Sequence, residues 1–219
     1  MDLLLSQMVS AKFSHEMSGI LGAVYNSVGY LNCPDESVRL KSIQLASHAS
    51  KAAIARLRFF RELYGYSLPE EKIDFGQMQS VIEGFLADKR NVTVNFQIAD
   101  DISLRLRSPN HIKLYLCLVT LCCEHIWDGG NISLQFSKFS VSAKVTANNM
   151  SDINSKRVDI LTRGGREQDM SIHNVHEYYT YFLIRSLGMR AIVRRISGGI
   201  CYLLDAIVHE QGFRICSKV

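Results

Sequence analysis

The sequence holds only three prolines and one tryptophan in 219 residues. Neither proline nor glycine gathers into a linker-like or low-complexity stretch, so a disordered or tethering chain is excluded. There is no repeat at the spacing of about 20 to 50 residues that marks solenoids, and no window of about 18 uninterrupted apolar residues that would mark a membrane span. The N-terminus, Met1-Asp2-Leu3-Leu4-Leu5-Ser6-Gln7, lacks the basic region and apolar core of a secretory signal, which predicts a cytoplasmic protein. In that compartment the six cysteines, Cys33, Cys117, Cys122, Cys123, Cys201 and Cys216, are expected as reduced thiols without disulfides. No CxxC pair occurs, and His173-Asn174-Val175-His176 has ligand-like spacing but no third or fourth partner nearby, so no metal site is expected. The 25 basic and 21 acidic residues give +4 without any run of five like charges, which argues against a nucleic-acid or membrane surface.

What is present is a globular composition, 47% hydrophobic and 21% charged. A chain of this length buries roughly 70% of its unfolded surface, enough for one large domain or two small ones.

Residues 3–31 read as one long helix, because Val9, Phe13, Met17, Ile20, Val24 and Leu31 recur near the 3.6 period with no proline between them. Pro34 bars helix at the residue before it, and Asp35 is a good N-cap for a second helix over 36–65. The second helix carries Ile43, Ala46, Ser50, Ala53, Leu57, Phe60 and Tyr64 at alternating three- and four-residue steps, a heptad seam. Two helices alone cannot cover both apolar stripes, so a second copy is expected to complete a four-helix bundle as a homodimer.

Beyond Gly65 and Pro69 the pattern becomes mixed. Residues 75–89 read as a helix and 92–98 alternate as a strand. Ser108 as N-cap and Pro109 at the first helical position open a buried helix that Asp128-Gly129-Gly130 stops. Strands over 131–137 and 140–147, a poorly patterned segment over 148–170, a helix over 174–187 closed by Gly188, and strands near 189–196 and 200–208 follow. The expected fold class is therefore α+β, with a helical hairpin over 1–67 and an α/β sandwich over 68–219, one mixed sheet covered by helices on one face.

His15 lies about 200° around the first helix from both Phe13 and Met17, so it is expected to be exposed. Its face carries Met8, Ala11, Lys12, Ser18, Gly19, Gly22 and Asn26. A mid-helix glycine costs about 1 kcal/mol relative to alanine, and close approach of another backbone is the usual reason to keep one. An exposed imidazole beside a smooth patch of small residues suits a partner protein that must reach the ring. His48, His111, His125 and His209 are read as core-edge or surface residues.

The segment Phe13-Ser14-His15-Glu16-Met17-Ser18-Gly19-Ile20-Leu21-Gly22-Ala23-Val24-Tyr25-Asn26 resembles the phosphoacceptor box of histidine kinase dimerisation helices, and more closely that of the ChpT-type histidine phosphotransferases of alphaproteobacteria. The resemblance continues in Ala55-Arg56-Leu57-Arg58-Phe59-Phe60-Arg61, in Gly129-Gly130, and in His176-Glu177-Tyr178-Tyr179-Thr180-Tyr181-Phe182-Leu183 before Leu187-Gly188. Glu16 stands where many members have Asp, and Ser18-Gly19 replaces the more usual Ser-Pro. The resemblance implies a dimeric four-helix bundle flanked by a domain shaped like the ATP-binding domain of histidine kinases. It further implies His15 as phosphoryl acceptor, with Glu16 assisting the ring and Lys12, Ser18, Gly19, Gly22 and Asn26 docking the partner. Arg58 and Arg61 are further candidates to reach an acidic partner surface.

A working kinase needs asparagines on the helix over 109–127 and a DxGxG element to hold Mg²⁺ and nucleotide. No asparagine occurs between Ile112 and Ile126, and Asn148-Asn149-Met150-Ser151-Asp152 stands where the glycine-rich element would fall. The nucleotide site is expected to be filled by apolar side chains. The chain then needs no cofactor of its own, Mg²⁺ being supplied by the receiver domains of a hybrid kinase and of response regulators between which it relays phosphate. Two other readings stay open: a divergent sensor histidine kinase that binds ATP in another way, and a non-enzymatic dimeric scaffold that binds response regulators.

Overall fold

The first helix, α1 (Asp2–Gly29), ends at a glycine, and the second, α2 (Glu36–Tyr64), starts where Asp35 accepts hydrogen bonds from the backbone N–H groups of Ser37 (2.8 Å) and Val38 (3.3 Å). The structure is a computed structural model that describes residues 2–66, 75–98, 109–137, 140–151 and 153–207. The cap satisfies two orphan donors of α2. Asp35→Ala is therefore expected to cost about 1 kcal/mol, read as a lowered urea midpoint with an unchanged m-value. The two helices form an antiparallel hairpin along which Met17 is buried, Val9, Phe13, Ile20 and Val24 are half-buried, and Phe13 meets Phe60 edge to face at 5.8 Å.

The heptad seam expected along α2 divides in two. Ile43 and Leu57 stay open to solvent at 50% and 51% exposure, whereas Phe60 is 3% exposed and packs, with Phe59 and Leu63, in the core of the α/β part. A helix of 29 residues spans about 43 Å, so its two ends meet different surroundings. Its final turns belong to the sandwich: Phe59 stacks on Phe85 at 3.9 Å, and Tyr64 reaches His176.

The sandwich runs α3 (Phe75–Leu86), β1 (Val92–Ile98), α4 (Pro109–Cys123), β2 (Gly130–Phe136), β3 (Ser140–Thr146), α5 (Ser155–Arg163), α6 (Val175–Ser186), β4 (Met189–Ile196) and β5 (Gly199–Ala206). The sheet order is β1-β2-β3-β5-β4, with β1 and β2 parallel and the other pairs antiparallel. Alternation places Ile132, Leu134 and Phe136 of β2, Val141, Ala143 and Val145 of β3, and Ile200, Tyr202 and Leu204 of β5 on the covered face. The register pairs Ile132 with Val145 and Ala143 with Tyr202, so these rows meet α4 as one surface. α4 is buried almost throughout from Ile112 to Cys122, as a helix between sheet and hairpin must be. Gly188, at φ +64°, closes α6 before β4.

The chain is thus α+β, a helical hairpin joined to a five-stranded mixed sheet with its helices. The poorly patterned segment 148–170 contains α5 and a short 3-10 turn at Glu167–Asp169. Asn154 caps α5 through the N–H groups of Lys156 and Arg157, and the helix has only nine residues, with Ile160 and Leu161 buried on it, shorter than the window over which a period is read. The expected domain boundary at 67/68, the Ser108 cap, Asp152, His209 and Cys216 lie outside the described residues. Cys33, Cys117, Cys122, Cys123 and Cys201 are free thiols, and burial pushes Cys117 up to about 12, so it stays protonated.

Candidate phosphoacceptor site

His15 is exposed on α1, with Phe13 and Met17 turned to the opposite side. Gly19 and Gly22, one and two turns on, leave open space: a Cβ at either position meets nothing within 4 Å. Nothing among the described residues requires those glycines, and the open face continues to the exposed Asn26. Ser18 lies on the same face, but its hydroxyl donates to the Ser14 carbonyl at 2.7 Å, a bond internal to the helix.

The acid beside His15 is engaged elsewhere. Glu16 binds Lys12 at 3.0 Å and Arg56 at 3.5 Å, and Arg56 in turn holds Asp88 at 2.8 Å, tying α1 to α2 and to the turn after α3. Burial pushes the Glu16 carboxyl up, but Lys12 and Arg56 outweigh it and hold the group below its ordinary value, ionised. Consecutive helical residues point about 100° apart, which is why Glu16 faces the hairpin groove while His15 faces out. Lys12 keeps only 15% of its side-chain surface and is spent on Glu16. Of the residues named from sequence, His15, Ser18, Gly19, Gly22 and Asn26 share the open face; Lys12 and Glu16 form a clamp at its edge. Arg58 and Arg61 are exposed on α2, Arg61 beside Glu62 at 2.8 Å.

Beneath this helix lies a buried polar cluster that sequence reading did not find. His176, in the first turn of α6, places Nδ1 2.6 Å from the Tyr64 hydroxyl, and burial lowers it to about 3, so the ring is neutral. His173 is exposed while His176 is buried, so their ligand-like spacing does not bring them together. The next residue, Glu177, binds Arg157 of α5, whose guanidinium also binds Glu124 at the end of α4. Burial, and then the neighbouring Glu124, push Glu177 up to about 7. His125, expected as a bystander, is buried between Ser151 (3.0 Å) and the Tyr202 hydroxyl (2.6 Å). Glu124 and His125, at the end of α4, thus pack against charged and polar side chains. The only sequence signal was Glu177 itself, an acid inside the otherwise apolar and aromatic start of a helix.

This fold sets a helical hairpin with an exposed histidine against an α/β sandwich. It matches the 1.7 Å structure of a bacterial phosphotransferase with a TM-score of 0.79 at 20% identity, over 94% of this chain and 97% of that one. A histidine kinase domain from the Erythrobacter litoralis EL346 blue-light activated histidine kinase aligns over 86% of this chain and 95% of its own, at 14% identity and a TM-score of 0.45. No curated protein matches the sequence. The model of the histidine phosphotransferase C-terminal domain matches residues 75–195, more than half of the chain, and the chain belongs to that family. That match begins beyond the hairpin, so the family rests on the sandwich and the acceptor must be argued from α1. No helix among the described residues is long and apolar enough to cross a membrane.

Proposed function

We propose that the chain is a phosphorelay intermediate that takes a phosphoryl group from a receiver-domain aspartate on His15 and passes it to the receiver of a response regulator. The observation that carries this reading is the exposed His15 on a face smoothed by Gly19 and Gly22, in a chain of the histidine phosphotransferase family. A ring nitrogen attacks the aspartyl phosphate in line; the P–N bond forms, the P–O bond breaks, and the carboxylate leaves with the electron pair. The ring keeps its proton on the other nitrogen until return transfer or exchange with water. The loose transition state is stabilised by the receiver's own Mg²⁺ and Lys, so this chain needs no cofactor and mainly presents its nucleophile. With no asparagine on α4 between Ile112 and Ile126, and Glu124 paired to Arg157 at its end, the sandwich acts without ATP-driven autophosphorylation.

Lys12 and Glu16 serve the site as a positioning clamp with Arg56, and the receiver docks over Gly19, Gly22 and Asn26. Gly22→Leu is then expected to leave the fold intact, with a melt at or slightly above that of the parent, while slowing transfer from a receiver by about tenfold or more. A second copy covers the apolar face left open by Leu40, Ile43, Ile54 and Leu57 on α2 and by Leu21 and Val28 on α1, giving a homodimeric bundle. The free buried thiols suit the cytoplasm. The test is incubation with a receiver domain charged by labelled acetyl phosphate: label should move to this chain as an acid-labile, base-stable phosphohistidine. Label that stays on the receiver would overturn the reading.

A further inference from the structure

A cavity of about 270 Å³ opens beside Trp127, between the end of α4 and the starts of α5 and α6, and takes no part in the chemistry of His15. Leu121, Val158 and Leu161 line it on the apolar side, and Glu124, Arg157 and Glu177 on the polar side. Glu177 retains 5% of its side-chain surface, and Oε1 binds the Arg157 guanidinium at 2.5 Å. Its second oxygen, Oε2, is buried without a hydrogen-bond partner among the described residues. A buried acceptor left open in this way costs free energy comparable to a lost hydrogen bond, and a charged one costs more.

The charge balance points the same way. Two carboxylates, Glu124 and Glu177, face one guanidinium, so with both ionised the cluster carries one uncompensated negative charge. Among the described residues, the groups around it do not supply a cation. Burial lowers His125 and His176, leaving both rings neutral, and from α1 Lys12 and Glu16 act on Glu124 with opposite signs. Tyr202, from β5, is held protonated by burial. At the mouth stands Trp127, the single tryptophan of the chain, 78% exposed where its flat face can cover a planar group.

We propose that this cavity binds a small planar cation, an amidinium or guanidinium compound, which donates to the unpartnered oxygen of Glu177 and is covered by Trp127. A nucleotide phosphate is the opposite case, since it would be driven against two carboxylates. The proposal is independent of the role given to His15.

Benzamidine is a suitable probe. Titrated into the full chain at pH 8.5, followed by Trp127 fluorescence and by calorimetry, it is expected to saturate with a dissociation constant of about a millimolar. Because a proton competes for Glu177 near pH 7, the affinity should fall about 30-fold on going to pH 5.5. Glu177→Gln should weaken binding about tenfold or more. Val158→Phe, which narrows the cavity and leaves every charge in place, should do the same, and it keeps the test decisive if the Glu177 variant fails to fold. MgATP should not displace the probe. Failure to saturate, equal affinity in either folded variant, an affinity flat with pH, or displacement by MgATP would each overturn the proposal.

Discussion

Chains carrying His15→Gln are expected to take up phosphoryl groups from a charged receiver at least about 10⁴-fold more slowly than the parent, since glutamine offers no nucleophilic nitrogen. The fold should be untouched. His15 is exposed on a regular stretch of α1, and substitutions at such positions change stability by about 0.5 kcal/mol or less. Loss of transfer with an unchanged urea midpoint therefore isolates the chemistry from the scaffold. Receiver binding should survive, because the glycine-bearing face of α1 remains open for docking. That combination, binding without transfer, separates a relay from a pure scaffold, in which His15→Gln would change nothing and no phosphohistidine would form. It also separates His15 from the other histidines. His176 is buried against Tyr64 and His125 is enclosed by Ser151 and Tyr202, so neither can meet a receiver aspartate. His48 is exposed on α2, and His48→Gln should transfer at the parental rate.

Much of this arrangement was legible in one sequence. β1 falls where alternation of apolar and polar residues puts it, β4 falls where a strand is expected near 189–196, and Asp35 and Gly188 act as the cap and stop that their chemistry indicates. The exposure of His15 followed from its angle to Phe13 and Met17. Three features were not legible, each for a physical reason. α5 is only nine residues long, shorter than the window over which a helical period can be read. The seam of α2 reads as one heptad stripe, yet Phe60 and Tyr64 face the sandwich and Ile43 and Leu57 face outward; the division depends on where α3 and α6 pack, which no local pattern encodes. The pairings of Glu16 with Arg56 and of Arg157 with Glu124 and Glu177 join residues tens of positions apart, and a charge in a sequence does not name its partner.

The largest effect expected on stability is that of Arg157→Met. The guanidinium pairs with two carboxylates, one at the end of α4 and one on α6, and removing it leaves both without a cation in a largely desolvated site. Breaking a buried pair costs about 3 to 5 kcal/mol. Arg157 keeps 28% of its side-chain surface, so we expect the lower end, about 3 kcal/mol at pH 8, read from urea midpoints. The loss should depend on pH with a definite sign. Glu177 is raised in the folded chain from 4.5 to about 7, so its contribution to stability is full below 4.5 and is lost as pH rises through 7. His176 is lowered from 6.5 to about 3 and works in reverse, its contribution being full above 6.5 and lost as pH falls toward 3. The two oppose each other in the parent and partly flatten its profile. In the difference between variant and parent His176 largely cancels, whereas the carboxylates do not, because without Arg157 both are pushed higher still. The deficit of Arg157→Met should therefore be greatest above pH 7 and shrink on acidification to pH 5, as Glu177 takes up its proton and no longer needs a partner. Adding Glu177→Gln to Arg157→Met should remove most of the pH dependence. A deficit as large at pH 5 as at pH 8 would assign the cost to lost packing of the arginine stem and refute the electrostatic account.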